Sequence, residues 1–317
     1  MKLLVTGGAG FIGSNYVRHV LASSDDEVTV LDALTYAGSR DTIVDLELDS
    51  RFSFVHGDIC DREAVTAAMQ GHDMVVHFAA ESHVDRSIEG PDSFVGTNCL
   101  GNNVMCDVAR TIGVERFLHV STDETYGSRA TGSFTEEDIL VPSSPYSASK
   151  AGSDLIALGY RTTFGLPVVV TRSSNNYGPF QFPEKVIPLF ITNLLNGGTV
   201  PVYGDGQNVR DWIYVMDNCA GVDTVLREGV DGEVYNIGGG NELSNMDLTR
   251  MLIELCGRDE SAITYVEDRL GHDFRYSVDC SKARSLGWNP STSVADGLAA
   301  TVAWYRDNDV WWRPKKG

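Results

Sequence analysis

Two residues in the stretch "SPYSASKAGSD" have the types and the spacing for proton transfer to or from an alcohol. Tyr146 and Lys150 are four apart, so they share one face if this stretch is helical. A neighbouring ammonium stabilises a phenolate, so we expect Lys150 to lower the pKa of Tyr146 and make the phenol a base for an alcohol proton. By themselves, a Tyr and a Lys at this spacing are also typical of an exposed helix surface.

A second pair, Asp123 and Glu124, lies in "STDETYG", directly after the apolar run "RFLHV". Neighbouring carboxylates push their pKa values apart, so we expect one to keep a proton while the other ionises. An acid and a base side by side could remove a proton from one carbon and protonate the hydroxyl of the next, which expels water. An exposed turn or a helix N-cap is the alternative interpretation.

The segment "LLVTGGAGFIG" predicts a nucleotide-binding turn between a strand and a helix. Gly7, Gly10 and Gly13 are three apart, and a glycine turn of this kind lets backbone N–H groups approach a pyrophosphate at a helix N-terminus. Asp32 ends the next apolar run, where a carboxylate accepts hydrogen bonds from ribose hydroxyls and repels a 2′-phosphate. The pattern therefore favours NAD over NADP. Asp58, after a third run, lies where an adenine would be, or simply caps a turn.

Alternating strands and helices have to position these groups. Short apolar runs predict strands at 3–6, 28–32, 52–56, 74–78, 117–121 and 168–172, with amphipathic helical stretches such as 12–22 and 98–112 between them. This alternation predicts an α/β fold with a Rossmann-like, doubly wound parallel sheet. The candidate groups would then lie at the carboxyl ends of the strands, where such proteins build their sites.

The amino-acid composition of the sequence changes after residue 173. Segments rich in Gly, Pro and Asn follow, and they predict loops joining shorter elements. We therefore expect an NAD-binding Rossmann domain at 1–173 and a smaller mixed α/β substrate-binding domain at 174–317. The strand predicted at 234–237 is expected to return to the main sheet.

Composition limits the partners and the compartment. The chain has 317 residues, 42% of them hydrophobic, and a net charge of -19, which argues against nucleic acid or an anionic membrane as partner. No run approaches the roughly 20 apolar residues of a membrane span, and the N-terminal apolar run is too short for a signal peptide. The six cysteines form no CxxC motif and no zinc spacing. We expect a cytoplasmic protein without a metal site.

Seven motifs occur in order: "TGGAGFIG", "FAAESHVDRSI", "STDETYG", "SPYSASKAGSD", "NNYGPFQFPEKVIP", "YGDGQNVRDWIYV" and "GHDFRYSVD". Together they resemble the extended branch of the short-chain dehydrogenase/reductase superfamily and, within it, the nucleotide-sugar 4,6-dehydratases, chiefly those that act on dTDP-glucose. The resemblance extends from residue 3 to about residue 312.

The resemblance implies a hydro-lyase with tightly bound NAD that is regenerated in each turnover. Tyr146 would act as the base at the sugar 4-hydroxyl, and hydride would pass from C4 to NAD. Glu124 would remove the C5 proton, Asp123 would protonate the leaving C6 hydroxyl, and the hydride would return to C6. The product would be a 4-keto-6-deoxy sugar nucleotide, and the protein would be a homodimer.

By the same resemblance, two further sets of residues would hold the ligands. The cofactor set comprises Gly7, Gly10, Phe11, Ile12, Gly13, Asp32, Leu34, Thr35, Asp58, Ile59, Ala79, Ala80, Thr97, Tyr146, Lys150 and Asn176. The substrate set comprises Ser82, Thr122, Asn175, Lys185, Val186, Pro201, Tyr203, Arg210, Asn245, His272 and Tyr276. Within it, Arg210 and Lys185 carry the charge to meet a diphosphate.

Other functions use parts of the same pattern. A sugar-nucleotide 4-epimerase needs the tyrosine and NAD but no acid–base pair after the strand, and a decarboxylase of a glucuronate nucleotide is a further relative. A non-catalytic NAD-binding sensor would need neither Tyr146 nor Lys150. Loss of water from a nucleotide-glucose would distinguish the dehydratase from all three.

Overall fold

The structure is a computed structural model, and it describes residues 1–268 and 273–316. These residues form twelve β-strands: β1 Lys2–Thr6, β2 Glu27–Asp32, β3 Phe52–His56, β4 Met74–His77, β5 Arg116–Thr122, β6 Val168–Ser173, β7 Asn175–Tyr177, β8 Val200–Tyr203, β9 Val209–Tyr214, β10 Val234–Ile237, β11 Glu242–Ser244 and β12 Ile263–Val266.

The α-helices of the described residues alternate with these strands: α1 Phe11–Ser23, α2 Arg62–Met69, α3 Val84–Glu89, α4 Pro91–Phe94, α5 Asn102–Ile112, α6 Pro145–Phe164, α7 Val186–Leu195, α8 Val215–Glu228, α9 Asn245–Leu255, α10 Ser281–Ser285, α11 Val294–Asp307 and α12 Asp309–Trp312. A π-helical stretch, Val95–Gly101, leads into α5. None of these helices is both long and apolar enough to cross a membrane.

The main sheet has seven strands in the order β10-β6-β5-β4-β1-β2-β3, and all neighbouring pairs are parallel. This arrangement confirms the predicted doubly wound, Rossmann-like sheet. The six strands predicted for it agree with the observed bounds to within one residue at each end. The agreement follows from burial, since a parallel sheet covered on both faces needs continuous apolar runs.

Hydrophobic clusters cover the two faces of the sheet. On one face, α1 and α8 pack through residues such as Tyr16, Val20 and Val222. On the other face, α2, α5 and α6 pack through residues such as Val65 and Val108. The polar carboxyl ends of the strands therefore project from a rigid, dry core.

The remaining strands build a smaller unit beside the carboxyl ends. β9 lies between β7 and β11, and β8 pairs with β12. A third hydrophobic cluster joins this unit to α7, α9 and α11. β10 returns to the main sheet, where Val234 to Ile237 pair in parallel with residues 170–173 of β6. The domain boundary at residue 173 itself stays a prediction.

Candidate active site

The stretch that carries the two adjacent carboxylates is a single 3-10 turn at the carboxyl end of β5. This turn, Asp123–Tyr126, is called the carboxylate turn below. The Thr122 hydroxyl caps it by accepting a hydrogen bond from the Glu124 N–H at 3.3 Å. Gly127 ends it at a φ of 83°, and a Cβ there would lie 2.4 Å from the Val141 carbonyl oxygen. Only glycine therefore fits at the exit of the turn.

Asp123 is buried in a way that favours its protonated form. The residue is only 2% exposed. Its Oδ1 accepts a hydrogen bond from the Thr122 hydroxyl at 3.3 Å, and its Oδ2 has no partner among the described residues. Burial raises the pKa of Asp123 well above its ordinary value, and the nearby charges of Glu124 and Asp211 raise it further. The surroundings of Asp123 thus favour its protonated form.

Tyr146 lies in the first turn of α6. Ser144 caps this helix in a reciprocal arrangement with Ser147, and Pro145 follows the cap, which explains why the helix begins there. The Thr122 side chain lies beside the Tyr146 hydroxyl and interacts with it in a way that lowers the pKa of the phenol. Thr122 therefore contacts both the phenol and the Asp123 carboxyl group.

The expectation that Lys150 lowers the pKa of Tyr146 is wrong for this structure. Burial raises the pKa of Tyr146 well above its ordinary value, and the charges of Glu124 and Asp123 add to the rise. Lys150 Nζ instead donates to the Val120 carbonyl oxygen at 2.8 Å, and burial lowers the pKa of Lys150 to about 8. The buried position of both groups explains the difference.

A cavity of about 250 Å³ lies over the glycine turn. Its wall contains most of the residues predicted to hold the cofactor: Gly7, Gly10, Phe11, Ile12, Gly13, Asp32, Thr35, Asp58, Ile59, Ala79, Ala80, Thr97, Tyr146 and Lys150. Leu34 and Asn176 are the exceptions. Leu34 has a φ of 52° and donates its N–H to Asp32 Oδ1, while Asn176 Nδ2 donates to the Ser174 carbonyl oxygen. The predicted contacts of Leu34 and Asn176 with the cofactor stay predictions.

The residues of this cavity fit a dinucleotide. The N-terminus of α1 at Gly10 has no side-chain cap in the described part of the chain, and the first helical turn lines the cavity. Its N–H groups are thus available to an anion. A Cβ at Gly7 would lie 2.6 Å from the Ala79 N atom, so only glycine allows this close approach. The Asp32 carboxylate is oriented by the N–H groups of Ala9 and Leu34, at 2.9 and 2.8 Å.

A second cavity of about 230 Å³ adjoins the first, and Ser82, Glu184 and Lys185 belong to both walls. The predicted substrate residues in its wall are Ser82, Asn175, Lys185, Val186, Pro201, Tyr203, Arg210, Asn245 and Tyr276. Glu124 also lines it, whereas Asp123 lies beneath the surface. Thr122 is outside this wall, between Tyr146 and Asp123. His272 lies outside the described residues.

Two cations face this second cavity in defined positions. The Arg210 guanidinium donates to the carbonyl oxygens of Val209 and Asp273 at 2.7 and 2.8 Å, and it stacks 4.2 Å from the centre of the Tyr276 ring. Lys185 Nζ donates to the Ser82 carbonyl oxygen at 2.7 Å. The arrangement places positive charge in the wall of an otherwise acidic protein, which suits a diphosphate.

Sequence analysis missed several residues of the site. Tyr36 lines the first cavity beneath the Arg86 guanidinium, which lies 3.9 Å from its ring centre. Glu184 lies 3.4 Å from the same guanidinium. The negative charge of Asp211 helps to raise the pKa of Asp123. Each is the sequence neighbour of a predicted residue, and this adjacency was the one signal available for finding it.

Comparison with known proteins decides the family. Residues 4–301 match the model of the family described as GDP-mannose 4,6 dehydratase. The chain belongs to the GDP-mannose 4,6 dehydratase family. This membership, with the relatives below, confirms the predicted resemblance to nucleotide-sugar 4,6-dehydratases.

Relatives of known name align with nearly the whole chain. The Low-salt glycan biosynthesis protein Agl12 of Haloferax volcanii is 55% identical over 98% of this chain and 100% of its own. The dTDP-glucose 4,6-dehydratase of an Actinoplanes species is 54% identical, with the same coverage. The crystal structure of DesIV, a dTDP-glucose 4,6-dehydratase from Streptomyces venezuelae with NAD and dTDP bound, is 55% identical, covers 100% of both chains and has a TM-score of 0.98.

Proposed function

We propose that this protein is a hydro-lyase that converts dTDP-glucose to its 4-keto-6-deoxy product, with NAD as a resident cofactor. One observation carries the proposal: the Thr122 hydroxyl donates to Asp123, and the same side chain interacts with Tyr146. An alcohol-oxidising group and a proton-transfer pair thereby share one site. The relatives named dTDP-glucose 4,6-dehydratase support the choice of sugar nucleotide.

The first cavity would hold NAD, with its pyrophosphate at the N-terminus of α1 and a ribose at Asp32. When bound there, NAD supplies the hydride acceptor for C4 and the hydride donor for C6. Asp32 would reject a ribose 2′-phosphate by charge repulsion. Tyr146 and Lys150 line the same cavity, so the reacting sugar carbon would lie at its inner end.

Tyr146 would take the proton of the sugar 4-hydroxyl. Its raised pKa means that the phenol is protonated before the reaction, so this proton has to leave to solvent before the phenolate can accept that of the 4-hydroxyl. Lys150 holds the adjacent end of β5 through the Val120 carbonyl oxygen.

Glu124 and Asp123 would then carry out the elimination. Once C4 is a ketone, the C5 hydrogen is acidic, and Glu124 in the cavity wall can remove it. Asp123 keeps the proton that the departing C6 hydroxyl needs, so the C6–O bond breaks and water leaves. Because Asp123 lies beneath the wall, its carboxyl group has to reach the 6-hydroxyl when the sugar binds.

The carboxylate turn favours this reaction over 4-epimerisation. An epimerase transfers no proton at C5 or at the 6-hydroxyl. It would therefore have no catalytic use for a buried carboxyl group in its protonated form. The burial of Asp123 costs stability, and the dehydration reaction gives that cost a reason. A non-catalytic NAD-binding sensor would gain nothing from the same group.

The direct test is incubation of the purified protein with dTDP-glucose, followed by mass spectrometry of the nucleotide sugars. The proposal requires a product lighter than the substrate by one water. A product of unchanged mass that chromatographs as a galactose nucleotide would instead identify an epimerase. Release of NAD, and not NADP, on denaturation checks the cofactor.

We also propose a homodimer formed through the helices that flank the site. Leu155 on α6 is 63% exposed, and Leu100 and Val95 in the preceding π-helical stretch are 57% and 56% exposed. Apolar side chains of this size on neighbouring helices suit a partner surface. Sedimentation should show a dimer, and Leu155→Glu should shift it towards the monomer. The cytoplasmic location stays a prediction.

A further inference from the structure

The two pairs of reactive side chains in the site lie on different secondary-structure elements. Tyr146 and Lys150 belong to α6, whereas Asp123 and Glu124 belong to the carboxylate turn. Groups that act on adjacent carbons of one sugar have to keep their relative positions to within about 0.5 Å. Thr122 lies between the two pairs, so the remaining question is what else holds α6 against the carboxylate turn.

A buried chain of polar side chains joins these elements. Asp154 lies one helical turn after Lys150 and two after Tyr146, on the same face of α6. Its Oδ2 accepts a hydrogen bond from Arg172 Nε at 2.8 Å. Arg172 Nη1 donates to the Tyr126 hydroxyl at 2.9 Å, and Tyr126 is the last residue of the carboxylate turn.

Every member of this chain is out of contact with solvent. Asp154 is 0% exposed, Arg172 is 4% and Tyr126 is 1%. The Tyr126 hydroxyl donates onward to Asn236 Oδ1 at 2.8 Å, which anchors it to β10. A buried ion pair contributes little net stability, because desolvation offsets its attraction, whereas it does select one geometry. Position is therefore a better account of Arg172 than stability.

With the function proposed above as its basis, we propose that Arg172 is a positioning residue for the two half-reactions. Its hydrogen bonds to Asp154 and Tyr126, together called the tie below, set the spacing between α6 and the carboxylate turn. Sugar oxidation at Tyr146 is thereby kept in register with the loss of water at Asp123. If a hydrogen bond of the tie is lost, oxidation of the sugar should continue while the elimination of water becomes slower.

Tyr126→Phe tests this tie with little disturbance of packing. The variant keeps the ring, which stacks on Phe134 at 5.0 Å between centres, and removes only the hydroxyl. Tyr235→Phe is the matched control. Tyr235 is 2% exposed, and its hydroxyl accepts a hydrogen bond from the Val230 N–H at 2.9 Å, outside the chain from Asp154 to Tyr126. Both variants and the natural protein are given dTDP-glucose in single-turnover experiments.

The absorbance of reduced cofactor follows oxidation, and mass spectrometry follows dehydration. In Tyr126→Phe we expect dehydration to slow about tenfold relative to oxidation, with reduced cofactor accumulating. The KM should stay within about twofold, and Tyr235→Phe should behave as the natural protein. An unchanged ratio of the two rates in Tyr126→Phe, or an equal change in both variants, would overturn the proposal.

Amide exchange without substrate tests the tie apart from activity. The Gly127 N–H donates to the Glu124 carbonyl oxygen at 3.2 Å and so reports on the carboxylate turn. Its exchange should accelerate in Tyr126→Phe and not in Tyr235→Phe. Equal exchange in the two variants would overturn the tie even in a protein that never turns over dTDP-glucose. Failure of the natural protein to consume dTDP-glucose would instead contradict the function on which the proposal rests.

Discussion

The Thr122 hydroxyl donates to Asp123 Oδ1 at 3.3 Å, and the same side chain interacts with the phenol of Tyr146. One short side chain thus connects the group proposed to oxidise the sugar with the group proposed to protonate its leaving hydroxyl.

Loss of either carboxyl group should separate oxidation from dehydration. In Asp123→Asn and Glu124→Gln, dehydration should fall by about 10²–10⁴-fold, because each removes one proton transfer. Oxidation at C4 should fall less, so reduced cofactor should accumulate after substrate is added. Stopped-flow absorbance and product analysis measure the two steps. Glu137→Gln, at an exposed position, is the control, and unchanged dehydration in both active-site variants would refute the assigned roles.

Asp123 should cost the protein stability, and the cost should grow with pH. Its folded-state pKa is raised above the ordinary 3.8, so the folded protein binds the proton more tightly than the unfolded chain. The stabilisation that the folded state gains from this bound proton is fully present below pH 3.8, and it is lost as the pH rises towards the folded-state pKa. Asp123→Asn should therefore raise the Tm, by more at about pH 8 than at about pH 4.

Asp138→Asn is the matched control for this measurement. Arg129 lowers the pKa of Asp138 through a hydrogen bond, so the charged form of Asp138 stabilises the fold above its ordinary pKa. Its replacement should lower the Tm as pH rises, with the opposite sign to Asp123→Asn. A Tm difference for Asp123→Asn that does not change with pH would show that the carboxyl group titrates normally.

Asp32 should decide between the two nicotinamide dinucleotides. Asp32→Asn keeps an acceptor for the Ala9 N–H but removes the charge that opposes a 2′-phosphate. We expect NAD affinity to fall about 10-fold or more, from the loss of charge-assisted hydrogen bonds, and the preference for NAD over NADP to shrink. Calorimetry with each dinucleotide measures both quantities. An unchanged preference would place the ribose away from Asp32.

Arg210 should affect substrate binding far more than cofactor binding. Arg210→Met should raise the KM for dTDP-glucose about 10-fold or more, because a charged contact to the diphosphate is lost. The affinity for NAD should not change. Arg258→Met is the matched control, since the Arg258 guanidinium also donates to a backbone carbonyl oxygen, that of Leu194 at 3.0 Å. Equal effects of the two changes would remove Arg210 from the substrate site.

The sequence was sufficient where local rules decide the structure. The six apolar runs predicted their strands to within one residue, because burial on both faces of a parallel sheet dictates composition. The spacing of four placed Tyr146 and Lys150 on one face of α6. The family resemblance supplied most of the residues found in the two cavity walls.

Long-range packing decided what the sequence could not predict. The pKa of Tyr146 rises because a separate turn brings Glu124 and Asp123 beside it and the core excludes water. The tie from Arg172 to Tyr126 joins residues 46 apart, and although Tyr126 belongs to the motif "STDETYG", no sequence pattern pairs it with Arg172. Leu34 meets Asp32 through its backbone N–H, which no side-chain pattern reveals.

Isotope tracing of one turnover tests the central claim most directly. The protein is given dTDP-glucose that carries deuterium at C4, in ordinary water, and the product is examined by mass spectrometry and NMR. The account predicts a product lighter by one water, with the deuterium retained at C6 and a solvent hydrogen at C5. A product of unchanged mass, or one that has lost the deuterium to solvent, would contradict it.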